Sequence, residues 1–396
     1  MISIETIKHL AKDLKQEVID MRRHLHAHPE LSFQEKETSA YISSRLNSWN
    51  IEHIKGVAGT GIVALIKGKN PDKRVIALRA DMDALPITEK NEVDYRSQNT
   101  GVMHACGHDV HSASLLGTAG ILSSLSKEWE GTVKLIFQPG EEKLPGGASL
   151  MIREGVLENP VPHLILAQHV FTQLPVGKAG FCPGKYMASG DELYVTVKGK
   201  GGHAAVPAGV INPLYLSAKL LLQLEELAQK LAASAIPTVL AFGRITGAGA
   251  TNVIPDEVKI EGTFRTMDEG WRSEAHELIR KTVENYSTVA GNCAELEIRR
   301  GYPCLVNDEA VTGFAAAVAK DYLGEGNSVQ LPTWMASEDF AFFAQQIPAC
   351  FYRIGTGNAS KNIVSPVHTP TFSIDEDALE ISTGLMSWIT LQMLQQ

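Results

Sequence analysis

Three shortages in this 396-residue chain each remove a class of function. No uninterrupted apolar run reaches the ~18 residues that a membrane-spanning helix needs, so no transmembrane segment and no membrane partner are expected. Cysteine is scarce: five residues, an odd number, stand at 106, 182, 293, 304 and 350, never as a Cys-x-x-Cys pair. That usage fits a reducing compartment rather than a disulfide framework, and the cytoplasm is the expectation. Basic charge is also short, with 36 Lys and Arg against 45 Asp and Glu and a net charge of −9. Nucleic-acid binding relies on lysine and arginine neutralising phosphates, so a nucleic-acid partner is not expected. Residues 1–20 are polar and amphipathic without an apolar core, which reads as neither secretory signal nor anchor. Internal repeats and low-complexity tracts are lacking too.

What is present is the composition of a globular protein, 44% hydrophobic and 20% charged. The length exceeds what one ordinary core supports and predicts two domains. Ile7, Leu10, Ala11, Leu14, Val18, Met21 and Leu25 recur at helical spacing and predict a helix over 4–27, stopped by His28-Pro29. A second helix is expected over 35–49, then strands over 61–66 and 75–79. A helix over 110–126, a strand over 132–138, a helix over 147–154 and a strand over 164–168 follow. The pattern then changes: a strand over 192–198, a helix over 213–233, strands over 238–246 and 257–266, a helix over 270–290 and a strand over 294–300. This β-α-β-β-α-β order is the ferredoxin-like split arrangement. It predicts an inserted α+β domain over 187–302, interrupting an α/β domain made of 1–186 and 303–396. In the latter, a helix over 309–322, a strand over 349–354 and a helix over 375–394 complete the reading.

The chemistry gathers at His104-Ala-Cys-Gly-His-Asp-Val-His111, eight residues with three imidazoles, a thiol and a carboxylate. These are the side chains zinc and related metals prefer, and such crowding is rare without a metal or a catalytic role. Acidic residues recur near predicted strand ends. Arg79-Ala-Asp-Met-Asp-Ala-Leu-Pro86 follows one buried strand and Pro139-Gly-Glu-Glu142 another, where open α/β sheets hold their ligands. His169 follows the strand over 164–168, and His368 comes late in the chain. Turn or cap carboxylates and a structural histidine are the plainer readings of each stretch taken alone. Together they make five candidate ligands: Cys106, His108, Glu142, His169 and His368. Five side chains are too many for one tetrahedral zinc with an open position, and they suit a pair of cations. Glu141, beside ligand Glu142, is then the natural general base for hydrolysis of an amide or ester. Two competing classes use the same residues: a Cys106 nucleophile activated by His104 or His108, and a metal-stabilised binding protein without catalysis. Sensitivity to a chelator separates a metalloenzyme from a thiol hydrolase.

Met103-His-Ala-Cys-Gly-His-Asp-Val-His111, Gln138-Pro-Gly-Glu-Glu142, Gly201-Gly-His-Ala204, Ser337-Glu-Asp-Phe340 and His368-Thr-Pro-Thr-Phe372 resemble the motifs of the amidohydrolase branch of the dinuclear zinc peptidases. That branch includes hippurate hydrolase, bacterial aminoacylases, auxin-conjugate hydrolases and N-acetyl-diaminopimelate deacetylase. The likeness begins at Arg22-Arg-His-Leu-His-Ala-His-Pro-Glu30 and covers nearly the whole chain. It implies an α/β/α catalytic domain with a ferredoxin-like lid that also forms a homodimer. It implies Cys106, His108, Glu142, His169 and His368 as ligands of two divalent ions, zinc foremost, with manganese, cobalt or nickel also compatible with the mixed donor set. Glu141 is implied as general base and Asp83 as the carboxylate that orients a ligand histidine. His203 would reach a partner's active site and stabilise the oxyanion, while Asn252 and Arg265 would hold the substrate carboxylate. Asp81 stands where the wider family has a ligand histidine, and its role is open. The implied reaction is hydrolysis of an N-acyl amino acid, with dipeptidase or carboxypeptidase action as the alternative.

Overall fold

The computed structural model describes residues 2–206, 208–291 and 293–396. Its chain divides into two compact units. The larger comprises Met1–Gly184, Val306–Pro332 and Asp339–Gln396, and the smaller Lys185–Leu305 with Thr333–Glu338.

An eight-stranded mixed sheet organises the larger unit, in the spatial order Glu52–Val57, Gly61–Lys67, Thr132–Gln138, Val75–Asp81, Leu164–Pro175, Ala349–Gly357, Ala179–Phe181, Ser328–Gln330. Four central strands, 132–138, 75–81, 164–175 and 349–357, run parallel to one another. Every residue of Val75–Asp81 and of Thr132–Gln138 is buried. Parallel strands covered on both faces need that near-continuous apolar run, which is why the sequence reads so plainly there. Helices Ile4–Ala27, His108–Ser124 and Asp377–Leu394 pack on one another. His108–Ser124 is buried on nearly every side, which its small and apolar residues permit and which erases the amphipathic stripe of a surface helix.

Three elements depart from expectation in ways that bear on the site. The third helix starts at His108, inside the cluster rather than after it, because Gly107 caps it in the left-handed region at φ 84°. A Cβ at Gly107 would also come within 2.5 Å of Val170. The strand expected to stop at 168 runs on to Pro175, since its parallel partner stays paired as far as Gly357 across a register shift after Gly355. His169 therefore lies within a strand. The last helix begins at Asp377, because Asp375 turns its carboxylate to Asn358 Nδ2 (2.6 Å) and Lys361 Nζ (2.9 Å).

The smaller unit holds a four-stranded antiparallel sheet in the order Thr238–Thr246, Glu257–Thr266, Asp191–Lys198, Ala294–Arg300. Asp191–Lys198 alternates buried and more exposed residues, the pattern of a sheet with one covered face. Leu193, Val195 and Val197 from that face meet Leu220, Leu224 and Ile279 from helices Pro213–Ala232 and Glu269–Val289. Asn212 and Asp268 cap these helices through Leu214 N–H and Trp271 N–H. A short ribbon pairs Gly202–His203 with Val253–Ile254. Among the described residues no helix is long and apolar enough to cross a membrane.

Candidate metal centre

Two parallel strands deliver the predicted acidic residues at their carboxyl ends. Asp81 closes one strand and Gln138 another, so Asp83 and the Glu141-Glu142 pair follow directly. Cys106 Sγ lies 3.4 Å from His169 Nε2 and 3.3 Å from His368 Nε2. His368 Nε2 lies 3.1 Å from Glu142 Oε1, which is 4.0 Å from His108 Nε2. Donor atoms of Cys106, His108 and His169 fall within 4.8 Å of one another, and so do those of Cys106, Glu142 and His368. His108, Glu141 and Glu142 form a third such group. His368 reaches the cluster from a left-handed backbone (φ 62°), tied by its N–H to the Ala105 carbonyl at 2.7 Å.

Hydrogen bonding shows which of these atoms await a partner. His169 donates its Nδ1–H to the Val170 carbonyl (2.8 Å), which leaves the Nε2 lone pair facing Cys106. Neither ring nitrogen of fully buried His108 makes a complete hydrogen bond among the described residues, nor does Glu142 Oε1. Leaving such atoms dry and unpaired costs about 1–3 kcal/mol each. A divalent cation is the group that satisfies a thiolate, an imidazole and a carboxylate at once. The electrostatics agree. Burial pushes the Cys106 thiol up, and Glu142, Glu141 and Asp81 push it further. Burial opposes a charged His108, yet Asp81, Asp83 and Glu142 raise it to about 10. A crowd of anionic groups thus calls for positive charge, and the donor set fits a pair of cations.

Neighbouring residues hold this set in place. Asp83 lies 3.3 Å from His108 Nδ1 and accepts the Ser32 hydroxyl (2.6 Å) and the N–H groups of Glu141 and Glu142 (3.0 Å each). Asp81 binds Arg79 Nη1 (2.7 Å) and His111 Nδ1 (2.6 Å), and its carbonyl accepts the Ser112 hydroxyl. Arg79 and Gln138 in turn bind Asp339, whose N–H approaches Glu141 Oε1 at 3.4 Å. Ser32, Arg79, His111 and Asp339 had no assigned role in the sequence reading. Arg79, His111 and Asp339 stand inside stretches singled out above, and Ser32 carries no signal of its own. His104 contributes no donor to any of these groups; both its nitrogens are buried without a partner among the described residues, and burial lowers it to about 4.

The remaining candidates belong to the smaller unit. His203 and Asn252 meet at the ribbon, where the Asn252 carbonyl accepts the Ala204 N–H at 3.0 Å. His203 Nδ1 accepts the Ala205 N–H (3.1 Å), so the mobile proton of the neutral ring sits on Nε2. Arg265 stands apart from them on Glu257–Thr266, with Nη1 3.3 Å from both the Met335 carbonyl and Ser337 Oγ.

Comparison with known proteins extends this picture. An N-acyl-L-amino acid amidohydrolase of Geobacillus stearothermophilus is 39% identical over 303 residues, 76% of this chain and 81% of that protein. Thermostable carboxypeptidase 2 of Saccharolobus solfataricus is 35% identical over 96% of this chain and 95% of its own. The crystal structure of a dinuclear metal-binding peptidase of the M20 family from Bacillus subtilis superposes with a TM-score of 0.82 at 34% identity, covering 97% of this chain and 99% of that one. The sequence model of the peptidase family M20/M25/M40 matches residues 77–390, a span that runs from within the strand ending at Asp81 into the last helix. On these grounds the chain belongs to peptidase family M20/M25/M40.

Proposed function

We propose that this protein is a dinuclear metal-dependent amidohydrolase that releases the acyl group of an N-acyl amino acid. The observation that carries the reading is the convergence of Cys106, His108, Glu142, His169 and His368 beside the carboxylate of Glu141. Cys106, His108 and His169 form one donor group and Cys106, Glu142 and His368 another, and between them these five residues would hold the ions. Bound there, divalent ions supply Lewis acidity at the scissile carbonyl and lower the pKa of water. Glu141, steadied by the Asp339 N–H, takes a proton from the attacking water and returns it to the departing nitrogen. Asp83 orients His108 from the opposite side of its ring.

The smaller unit is assigned as a ferredoxin-like lid through which two copies pair, inserted over 187–302 between 1–186 and 303–396. Its sheet order and two helices support that description. His203 is assigned to donate from Nε2 to the oxyanion in a partner's active site, which its Nδ1 contact supports. Asn252 and Arg265 are assigned to the substrate carboxylate. The cytoplasm is the proposed location. Zinc is the proposed metal, and manganese, cobalt and nickel suit the same sulfur, nitrogen and oxygen donors. The carboxypeptidase likeness favours a second reading, cleavage of a peptide at a free carboxyl end. A panel of N-acetyl, N-benzoyl and dipeptide substrates on metal-reconstituted protein, with released amine measured, separates the two. Release from dipeptides alone selects the second, and release from none overturns both.

A further inference from the structure

A stretch that carries no candidate ligand reaches the loop that carries Glu141. After helix Ile4–Ala27 the chain turns, the Gln34 N–H bonding the Leu31 carbonyl, and sets Phe33 at φ 66°. A bulky residue in the left-handed region is strained by about 1–2 kcal/mol. This conformation accompanies two contacts. The Phe33 N–H donates to Glu35 Oε1 at 2.8 Å, and the Phe33 ring packs so closely on Gly140 that a Cβ there would lie 2.4 Å from it. Glu35 is fully buried. Its Oε1 also accepts the Gly140 N–H (2.8 Å), and its Oε2 accepts the Thr60 hydroxyl (2.7 Å). The next two N–H groups, of Glu141 and Glu142, end on Asp83, itself gripped by Ser32. Three successive N–H groups of one loop are therefore received by two buried carboxylates.

Dry burial of a carboxylate is expensive unless its oxygens are well bonded. A carbonyl or a water would satisfy the Gly140 N–H at lower cost. What a charged acceptor adds is a shorter, roughly twice as strong and more directional bond. The loop links Thr132–Gln138 to Gly147–Arg153 without regular structure of its own, so its course depends on such bonds. The aim of the Glu141 side chain follows from that course, and an error of 1 Å in a reacting group can cost about 10²-fold in rate.

We propose that Glu35 is a positioning residue for Glu141, its carboxylate holding the Gly140 N–H so that the general base keeps its aim. This rests on Glu141 being the base. The test compares E35A and E35Q in the full metal-loaded protein by amide hydrogen exchange of the peptide spanning 139–147, by metal content, and by kcat and KM for the best N-acyl amino acid of the panel. E35A is expected to speed exchange in 139–147 and leave 164–175 protected. It should retain its metals and lower kcat about 10²-fold with KM changed less than about threefold. Glutamine keeps an oxygen for both N–H groups but loses the charge, so E35Q should relieve part of the loss and lie between E35A and the parent in both exchange and kcat. Should E35A not fold, T60V removes only the hydroxyl on Oε2 and should shift both readouts the same way by less. Unchanged protection of 139–147, or a kcat loss that glutamine does not relieve, overturns the proposal. If the parent protein hydrolyses no amide, the functional reading falls, and the exchange result alone still decides whether Glu35 holds the loop.

Discussion

Asp81 and His111 form a closed pair: Asp81 Oδ1 accepts the His111 Nδ1–H at 2.6 Å, and His111 Nε2 accepts the Val170 N–H at 2.9 Å. Both imidazole nitrogens are thereby occupied. His111 sits one helical turn beyond His108, with the two rings 5.4 Å apart, yet it has no lone pair to offer a cation. Asp81 is likewise engaged by Arg79.

His111→Ala should therefore leave two metal ions per subunit while lowering thermal stability. It strips one partner from a buried carboxylate and one from a buried N–H, each worth about 1–3 kcal/mol. Elemental analysis beside a thermal melt checks this. Loss of one ion per subunit would make His111 a ligand after all.

Glu141→Ala should keep its metals and lose about 10²–10⁴-fold in kcat, the usual span for removing a general base. Glu141 is not one of the five proposed ligands, so its removal leaves all five donors. Turnover near the parent rate at full metal content would take Glu141 out of the reaction.

Cys106→Ala should lower metal occupancy, because the Cys106 sulfur belongs to both the group with His108 and His169 and the group with Glu142 and His368. A strong chelator should abolish activity, and added zinc or manganese should restore it. Activity that survives the chelator and yields to a thiol-alkylating reagent would favour a cysteine nucleophile instead.

The smaller unit should lose stability in acid through Asp191. Burial would raise this carboxyl, but His276, Arg272 and the Gly301 N–H lower it to about 2. The His276 Nε2 contact is 2.7 Å and the Arg272 Nε contact 2.9 Å. The folded pKa lies below the unfolded one, so the stabilisation is complete above about pH 4 and disappears as pH falls to about 2. It amounts to roughly 2 kcal/mol. Asp191→Asn should flatten the acid limb of a pH series of melts; an unchanged limb would place the acid sensitivity elsewhere.

Local signals carried far in this chain. The fully apolar Val75-Ile-Ala-Leu78 reads as a doubly covered strand and the spacing from Ile7 to Leu25 as a helix, and both formed. Cys106, His108, Glu141 and Glu142 announced themselves by crowding. What escaped were partners far along the chain: Glu35 meets Gly140 across 105 positions and Asp339 meets Glu141 across 198. No periodicity encodes such pairings. His169 and His111 show the same limit from the other side, since the length of one strand and the hydrogen bonds of the other ring were set by neighbours brought in by the sheet.

By itself the amino-acid order determined which chemical groups were available and which short stretches would be strand or helix, because spacing and side-chain type act over a few residues. Only the tertiary structure decided which imidazoles keep a lone pair for a cation and which spend it on the protein. That choice depends on the carboxylates and peptide groups lying within about 3 Å, and folding alone brings those into reach.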